Sequence, residues 1–258
     1  MNTFTLKIIA LTSMIIDHIG SVFSMHINFR IIGRLAFPLY VYLLAEGFFY
    51  TKNKLKFLGR LLVFAVVSEP FYDMAFSNAA SLTQVNFFAN TNIFYTFFLG
   101  GLAITMWEEV RAYFERGVLF DMILAVLAVV PMAYFANVLG TDYSAYGVVF
   151  VFIMYFVRVV RAGDFLQELK EPAQKLWPVV MVALCAHQFF DRVIVNAIRH
   201  GIGSLPASEW GFQVAVIVPA VLVLFYNGKR GPSFKWAFYI AYPAHIAALV
   251  GISVLLGN

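Results

Sequence analysis

Residues 5–25 read TLKIIALTSMIIDHIGSVFSM. From about Phe4 to Met25 the run is apolar and does not alternate. A helix of about twenty such residues crosses a hydrocarbon core of roughly 30 Å. Comparable runs recur to the C-terminus, separated by short polar loops. The 258 residues are 62% hydrophobic and only 12% charged, whereas a soluble domain carries about a quarter charged residues. Backbone polar groups inside lipid must be satisfied internally, which leaves helices or a closed barrel. The length of the runs and their lack of a two-residue period select helices. The expectation is an all-α, polytopic membrane protein with one domain over residues 1–258. About nine spans are expected, near 4–25, 29–50, 55–76, 92–110, 118–138, 144–160, 176–198, 210–226 and 234–256. No small-residue cleavage site follows the first run, so it reads as a retained helix rather than a signal peptide.

Charge gives an orientation. The loops after the second, fourth, sixth and eighth runs hold most of the 18 basic residues. These are Lys52, Lys54, Lys56 and Arg60; Arg111 and Arg116; Arg158, Arg161, Lys170 and Lys175; and Lys229, Arg230 and Lys235. The other loops carry Arg30 and Arg199. By the positive-inside rule the N-terminus is cytoplasmic and the C-terminus lies outside. The net charge of +4 therefore reads as a topology signal. No continuous basic stripe suggests nucleic acid. Cys185 is the single cysteine and is expected as a buried small hydrophobe.

Inside the first run stand Asp17 and His18. Titratable side chains at membrane depth are costly and mark functional sites by default. At about 1.5 Å of rise per residue, His18 lies roughly 21 Å from the cytoplasmic start, and Arg34 lies about 7 Å in from the outer face. The same count puts Glu69 near 21 Å, His187 and Asp191 near 16 and 22 Å, and His245 near 16 Å. Five runs thus bring titratable groups to one level, which predicts a polar chamber between helices. Asp17 and His18 are adjacent and point about 100° apart. Asp17 is therefore expected to pair with an arginine, Arg34 first, rather than to orient His18. His187 and Asp191 are four apart and can share a face. Glu46 and Glu69 are expected as structural partners of arginines. His26 and His200 fall in outer loops and carry no specific expectation.

Lys7 precedes His18 by eleven residues, almost a whole number of turns, so the two face the same way about 16 Å apart. A ligand with phosphates at the cytoplasmic mouth and a reactive group deep in the membrane fits that spacing. Acetyl-coenzyme A has such a shape.

Six ordered motifs carry a family resemblance. They are Lys7 with Asp17-His18, RIIGRLAFPLYVYLLAEGF (30–48), RLLVFAVVSEPFYD (60–73), NIFYTFFLG (92–100), DYSAYGV (142–148) and FYIAYPAH (238–245). Together they resemble the TraX family, whose named member acetylates F-pilin, and more distantly the membrane acyltransferases that modify sugars. The resemblance implies a multi-pass protein of a bacterial inner membrane that uses acetyl-CoA as donor. It implies His18 as the catalytic residue, with Lys7, Arg30, Tyr242 and His245 on the donor side and Asp142 and Tyr146 in an outer-loop motif. The acceptor stays open between a pilin N-terminal amine and a glycan.

The expected chemistry is acetyl transfer to an acceptor at the outer side. His18 acts as general base, since a neutral imidazole suits proton transfer near pH 7. Asp17 anchors the site and Arg34 steadies the thioester oxyanion. Glu69, His187 and Asp191 complete the chamber. A covalent acetyl-His intermediate is less favoured. No metal is expected, because neither HExxH nor CxxC occurs and the histidines are far apart in sequence. Two other classes use similar residues: a proton-coupled transporter of a small solute, and a non-catalytic membrane assembly factor.

Overall fold

The computed structural model describes residues 1–77, 79, 81–114, 117–189, 198 and 207–256, with the side chains of 187–189, 207–210, 212–214, 216 and 235 excepted. Among the described residues every regular element is helical. In chain order these are α1 (Thr3–Val22), α2 (Asn28–Gly33), α3 (Ala36–Phe49), α4 (Lys54–Phe76), α5 (Ile93–Tyr113), α6 (Val118–Val138), α7 (Ser144–Ala162), α8 (Lys170–Phe189), α9 (Ala207–Leu224) and α10 (Lys235–Leu256). Short 3-10 turns lie at Leu82–Gln84 and Gln167–Leu169.

Local chemistry sets several boundaries. The side chains of Asn2, Asn53 and Asn92 accept from the backbone amides of Thr5 (2.8 Å), Lys56 (2.8 Å) and Phe94 (2.9 Å), satisfying donors that a helix start leaves open. The second apolar run is not one helix but two. Pro38 has no amide hydrogen to offer the Arg34 carbonyl. The chain turns at Arg34 and Leu35, whose amides reach back only three residues, to Ile31 and Ile32 at 3.2 Å each. α8 begins at Lys170, earlier than the expected 176, with Glu171 in its first turn, where a negative charge suits the helix dipole. Residues 190–197 of the seventh expected span lie outside the described residues.

Among the described residues five stretches are long and apolar enough to cross a membrane: Thr3–Val22, Asn28–Phe49, Val118–Val138, Ser144–Ala162 and Trp236–Leu256. The protein is an integral membrane protein by this measure. α6 shows the reason most plainly, because Leu119, Ile123, Val126, Leu127 and Val130 all face outward. α4 and α5 occupy their expected places but carry more charge.

The loops gather at two opposite ends. At one, Thr3 and Phe4 amides donate to the carbonyls of Lys229 (2.9 Å) and Arg230 (3.1 Å). There too Arg158 donates to the Tyr50 hydroxyl at 2.8 Å, and Arg111 to the Asp164 carbonyl at 2.8 Å. At the other, Asp142 N donates to Thr91 O at 2.9 Å, joining the 77–92 and 139–143 loops. The basic loops thus share one end. The core between them is packed around Phe48, Trp107, Phe150 and Tyr155, each at most 1% exposed. Gly100 lets α7 close in: a Cβ there would come within 2.7 Å of Val151, the small-residue contact that membrane helices use.

Candidate functional site

The site begins where α1 and α10 lie side by side and run in the same direction. Phe4 meets Phe234 and Phe238 with ring centres 5.9 and 6.0 Å apart. Lys7 Nζ stands 5.1 Å from the centre of the Phe238 ring. Further along both helices, His18 Nδ1 lies 2.7 Å from His245 Nε2. Their rings are 4.9 Å apart and inclined by 15°. An N···N distance of 2.7 Å is too short for rings lying face to face, so the two meet edge to edge in a hydrogen bond. The other nitrogen of His245, Nδ1, lies 2.7 Å from the Ala241 carbonyl. Phe76 of α4 packs on His18 at 4.9 Å, and Tyr242 stands edge-on at 6.1 Å. Lys7 and His18 therefore both meet α10, and the unbroken helix between them spaces them by about 16 Å.

The neighbouring face of α1 carries Asp17. Arg30 Nη1 donates to its Oδ2 at 2.7 Å. This corrects the expected pairing, in which Arg34 was the first choice. Arg34 remains in the electrostatic neighbourhood of both Asp17 and Asp142. Gly33 makes the contact possible, because a Cβ there would sit 2.0 Å from Asp17 Oδ1. No other residue type fits between those two arginines without moving the aspartate.

Opposite lies the 139–143 loop. Asp142 and Tyr143 face the same charges: Asp17, Arg30 and Arg34 act on both. Burial pushes the Asp142 carboxyl up to about 6, helped by Asp17 and opposed by Arg34 and Arg30. Tyr143 adopts a left-handed backbone at φ 64°, an unusual state for a bulky residue, and stacks on Phe37 at 3.6 Å. The loop is pinned by the Thr96 hydroxyl, which donates to the Asp142 carbonyl. An open cavity of about 500 Å³ lies here, lined by Tyr72, Phe76, Ser77, Asn90, Gly140, Thr141, Asp142 and Tyr143. Phe76 is common to the cavity wall and the His18 contact. Tyr146, in the same motif, instead donates from its hydroxyl to the Leu184 carbonyl at 2.8 Å, tying α7 to α8.

Glu69 is fully buried in α4. Its Oε2 accepts from the Asn92 amide at 3.1 Å and from Asn92 Nδ2 at 2.5 Å. The expected arginine partner is thus an asparagine. Glu46 does meet one, accepting from Arg158 Nε at 2.7 Å. Asp73, one turn beyond Glu69, accepts from the Asn86 amide at 2.7 Å. Among the described residues Glu69 Oε1 and Asp73 Oδ1 are buried with no hydrogen-bond partner, as is Asp121 Oδ1 at the basic end.

Against known proteins, the family model described as TraX protein matches residues 3–253. The chain belongs to the TraX family. It is also 29% identical over 265 residues to a protein of Dichelobacter nodosus named "Probable fimbrial assembly protein FimC, serogroup H1", across 99% of this chain and 97% of that one. No solved structure matches it.

In this TraX chain the site residues read from the sequence divide three ways. Lys7, His18, Tyr242 and His245 share the α1–α10 seam. Asp17, Arg30, Arg34 and Asp142 form an adjoining charged cluster, while Glu69 is bonded to Asn92. The side chain of His187 and all of Asp191 lie outside the described residues. Among the described residues no three His, Cys, Asp or Glu side chains converge as metal ligands. Sequence reasoning missed Tyr72, Phe76 and Tyr143. Tyr72 lies inside the SEPFYD motif and Tyr143 inside DYSAYGV, but neither is charged and a depth count does not register them. Cys185 is buried, 1% exposed.

Proposed function

We propose that this protein is an integral-membrane acetyltransferase of a bacterial inner membrane, with nine spans, a cytoplasmic N-terminus and an outer C-terminus. It moves an acetyl group from acetyl-CoA to an acceptor at the outer side. The observation that carries the reading is the juxtaposition on α1. A deep, hydrogen-bonded histidine sits beside a paired arginine cluster, with a lysine about 16 Å nearer the basic end on the same seam. The residues fit such a donor: Lys7 and the basic loop near Lys229 and Arg230 offer charge for phosphates, and the α1–α10 seam leads from there to His18. Acetyl-CoA supplies the activated thioester.

The chain's own groups do the rest. His18 takes the proton of the acceptor amine or hydroxyl as that atom attacks the acetyl carbon. Arg34, next to Arg30 and Asp17, stabilises the charge that develops on the acetyl oxygen. Asp17 holds Arg30 and the cluster in place. The acceptor approaches through the cavity walled by Tyr72, Phe76, Asp142 and Tyr143, at the end away from the basic loops. A pilin N-terminus is the acceptor favoured by the family, and a glycan is the other candidate.

The test uses purified protein and acetyl-CoA labelled in the acetyl group. The wild type binds the label and releases free thiol, and His18→Ala binds it without releasing thiol. Equal thiol release by the two proteins contradicts the assignment. The name of the relative from Dichelobacter nodosus, a probable fimbrial assembly protein, favours a second reading, a non-catalytic assembly factor. That reading predicts no binding of the label, and free replacement of His18.

A further inference from the structure

Hydrogen-bond logic fixes which atom of His18 can receive a proton. A backbone carbonyl only accepts. His245 Nδ1 lies 2.7 Å from the Ala241 carbonyl, so that nitrogen carries the hydrogen. Neutral His245 then has its lone pair at Nε2. This atom is 2.7 Å from His18 Nδ1, and one hydrogen lies between them, so it belongs to His18. Neutral His18 keeps its lone pair at Nε2.

We propose that His245 is a positioning residue, which accepts from His18 Nδ1–H and so leaves Nε2 as the proton-accepting atom of the site. The inference rests on His18 being the base. It moves His245 from the donor-binding role to one exerted through His18. The local sequence prepares it. His245 reaches back one turn along its own helix to Ala241. Tyr242 stands edge-on to both rings, at 6.1 Å from His18 and 5.6 Å from His245, and Phe76 covers the far side of His18 at 4.9 Å. The pair is therefore held by packing as well as by its hydrogen bonds. Asp17 cannot substitute, because it points to Arg30.

The chemical step balances around this atom. The acceptor heteroatom forms a bond to the acetyl carbon and its proton passes to His18 Nε2. The carbon–sulfur bond breaks with its electron pair going to sulfur, and the proton then returns to that thiolate. Throughout, His245 holds the Nδ1–H of His18 and steadies the positive ring.

The test combines tautomer and rate. Full-length protein labelled with ¹⁵N at histidine is read by NMR in detergent at neutral pH, with His18→Ala identifying the signals. Wild-type His18 shows a protonated Nδ1 and a bare Nε2. His245→Ala loses that preference. His245→Gln, whose amide oxygen can accept the same hydrogen bond, keeps it. In thiol release from acetyl-CoA, His245→Ala lowers kcat about 10-fold, a part of the roughly 10²–10⁴-fold that a positioned base contributes. Its KM is little changed, and His245→Gln recovers most of the loss. An Nε2–H tautomer in the wild type overturns the proposal. So does a His245→Gln enzyme as slow as His245→Ala when both melt at the wild-type temperature. Full turnover by His18→Ala would instead remove the base reading, and the NMR result would then stand as structure alone.

Discussion

The two ends of the bundle treat their buried polar groups differently. At the basic end, acids are paired with cations. Glu46 meets Arg158 at 2.7 Å, with side chains 13% and 15% exposed. Glu108 is held by both Lys54 and the Tyr155 hydroxyl, and Asp121 meets Arg111 at 3.4 Å. At the other end the charged groups are mixed with imidazole and amide partners. Asp17 and Arg30 are joined, Arg34 and Asp142 stand in the same electrostatic cluster, His18 is hydrogen-bonded to the imidazole of His245, and Glu69 is held by an asparagine. Acid–cation pairs hold helices in register, whereas a histidine pair beside an open cavity can do chemistry. The contrast says that mutations at the first end act on stability and those at the second on turnover.

The largest effect expected is at His18. His18→Ala lowers turnover by about 10²–10⁴-fold, the usual worth of a positioned base, while thermal melting in detergent stays near the wild-type value. A matched loss of stability would erase the distinction between the two ends. Glu46→Ala is the mirror experiment. It removes the carboxylate from Arg158, which keeps its bond to the Tyr50 hydroxyl, and costs about 3 kcal/mol, the lower end of the range for a broken buried pair. Denaturation in mixed micelles reads it, and turnover per folded molecule should not change.

The same contrast explains what the sequence could tell. Apolar run length and the grouping of basic loops located the helices, because membrane cost acts on every residue of a span. Counting depth brought His18 and His245 to a similar level for the same reason. It could not give the direct bond between them, since lateral neighbours depend on how helices from opposite ends of the chain pack. The partner of Asp17 was misjudged because Arg30 and Arg34 are one turn apart on the same run, and a depth count does not say which of the two side chains reaches across to α1. The Asn92 partner of Glu69 was hidden because an asparagine carries no charge to notice, although the same residue is visible as the cap of α5.

Gly33→Ala should fall between the two ends in effect. Its methyl would displace Asp17, whose Oδ1 lies 2.0 Å from that Cβ position. Turnover is expected to drop roughly 10-fold, within the range that misplacement near a site can cost. Arg30→Lys should show a smaller loss, because it keeps the charge and loses the planar fork. Steady-state kinetics of the two variants read both effects.

The smallest effect is a pH dependence at Asp142. Burial raises this carboxyl to about 6 in the folded protein, against 3.8 for the ordinary group. Between those values the folded state holds more proton than the unfolded one, so stability falls as pH rises from about 4 to 6. Asp142→Asn removes this dependence. Its melting temperature relative to wild type should therefore improve as pH goes from 4 to 7, by about 1–3 kcal/mol in equivalent stability. An unchanged or opposite difference would show that the arginines govern this carboxyl.

The central claim is that the seam between α1 and α10 carries an acetyl donor from Lys7 to His18. A cryo-EM structure of the protein with a non-hydrolysable acetyl-CoA analogue tests it most directly. The account predicts the nucleotide phosphates near Lys7 and the basic loop at Lys229 and Arg230, with the acetyl carbonyl beside His18 and Arg34. A nucleotide bound at the opposite end, or an acyl group remote from His18, would contradict it.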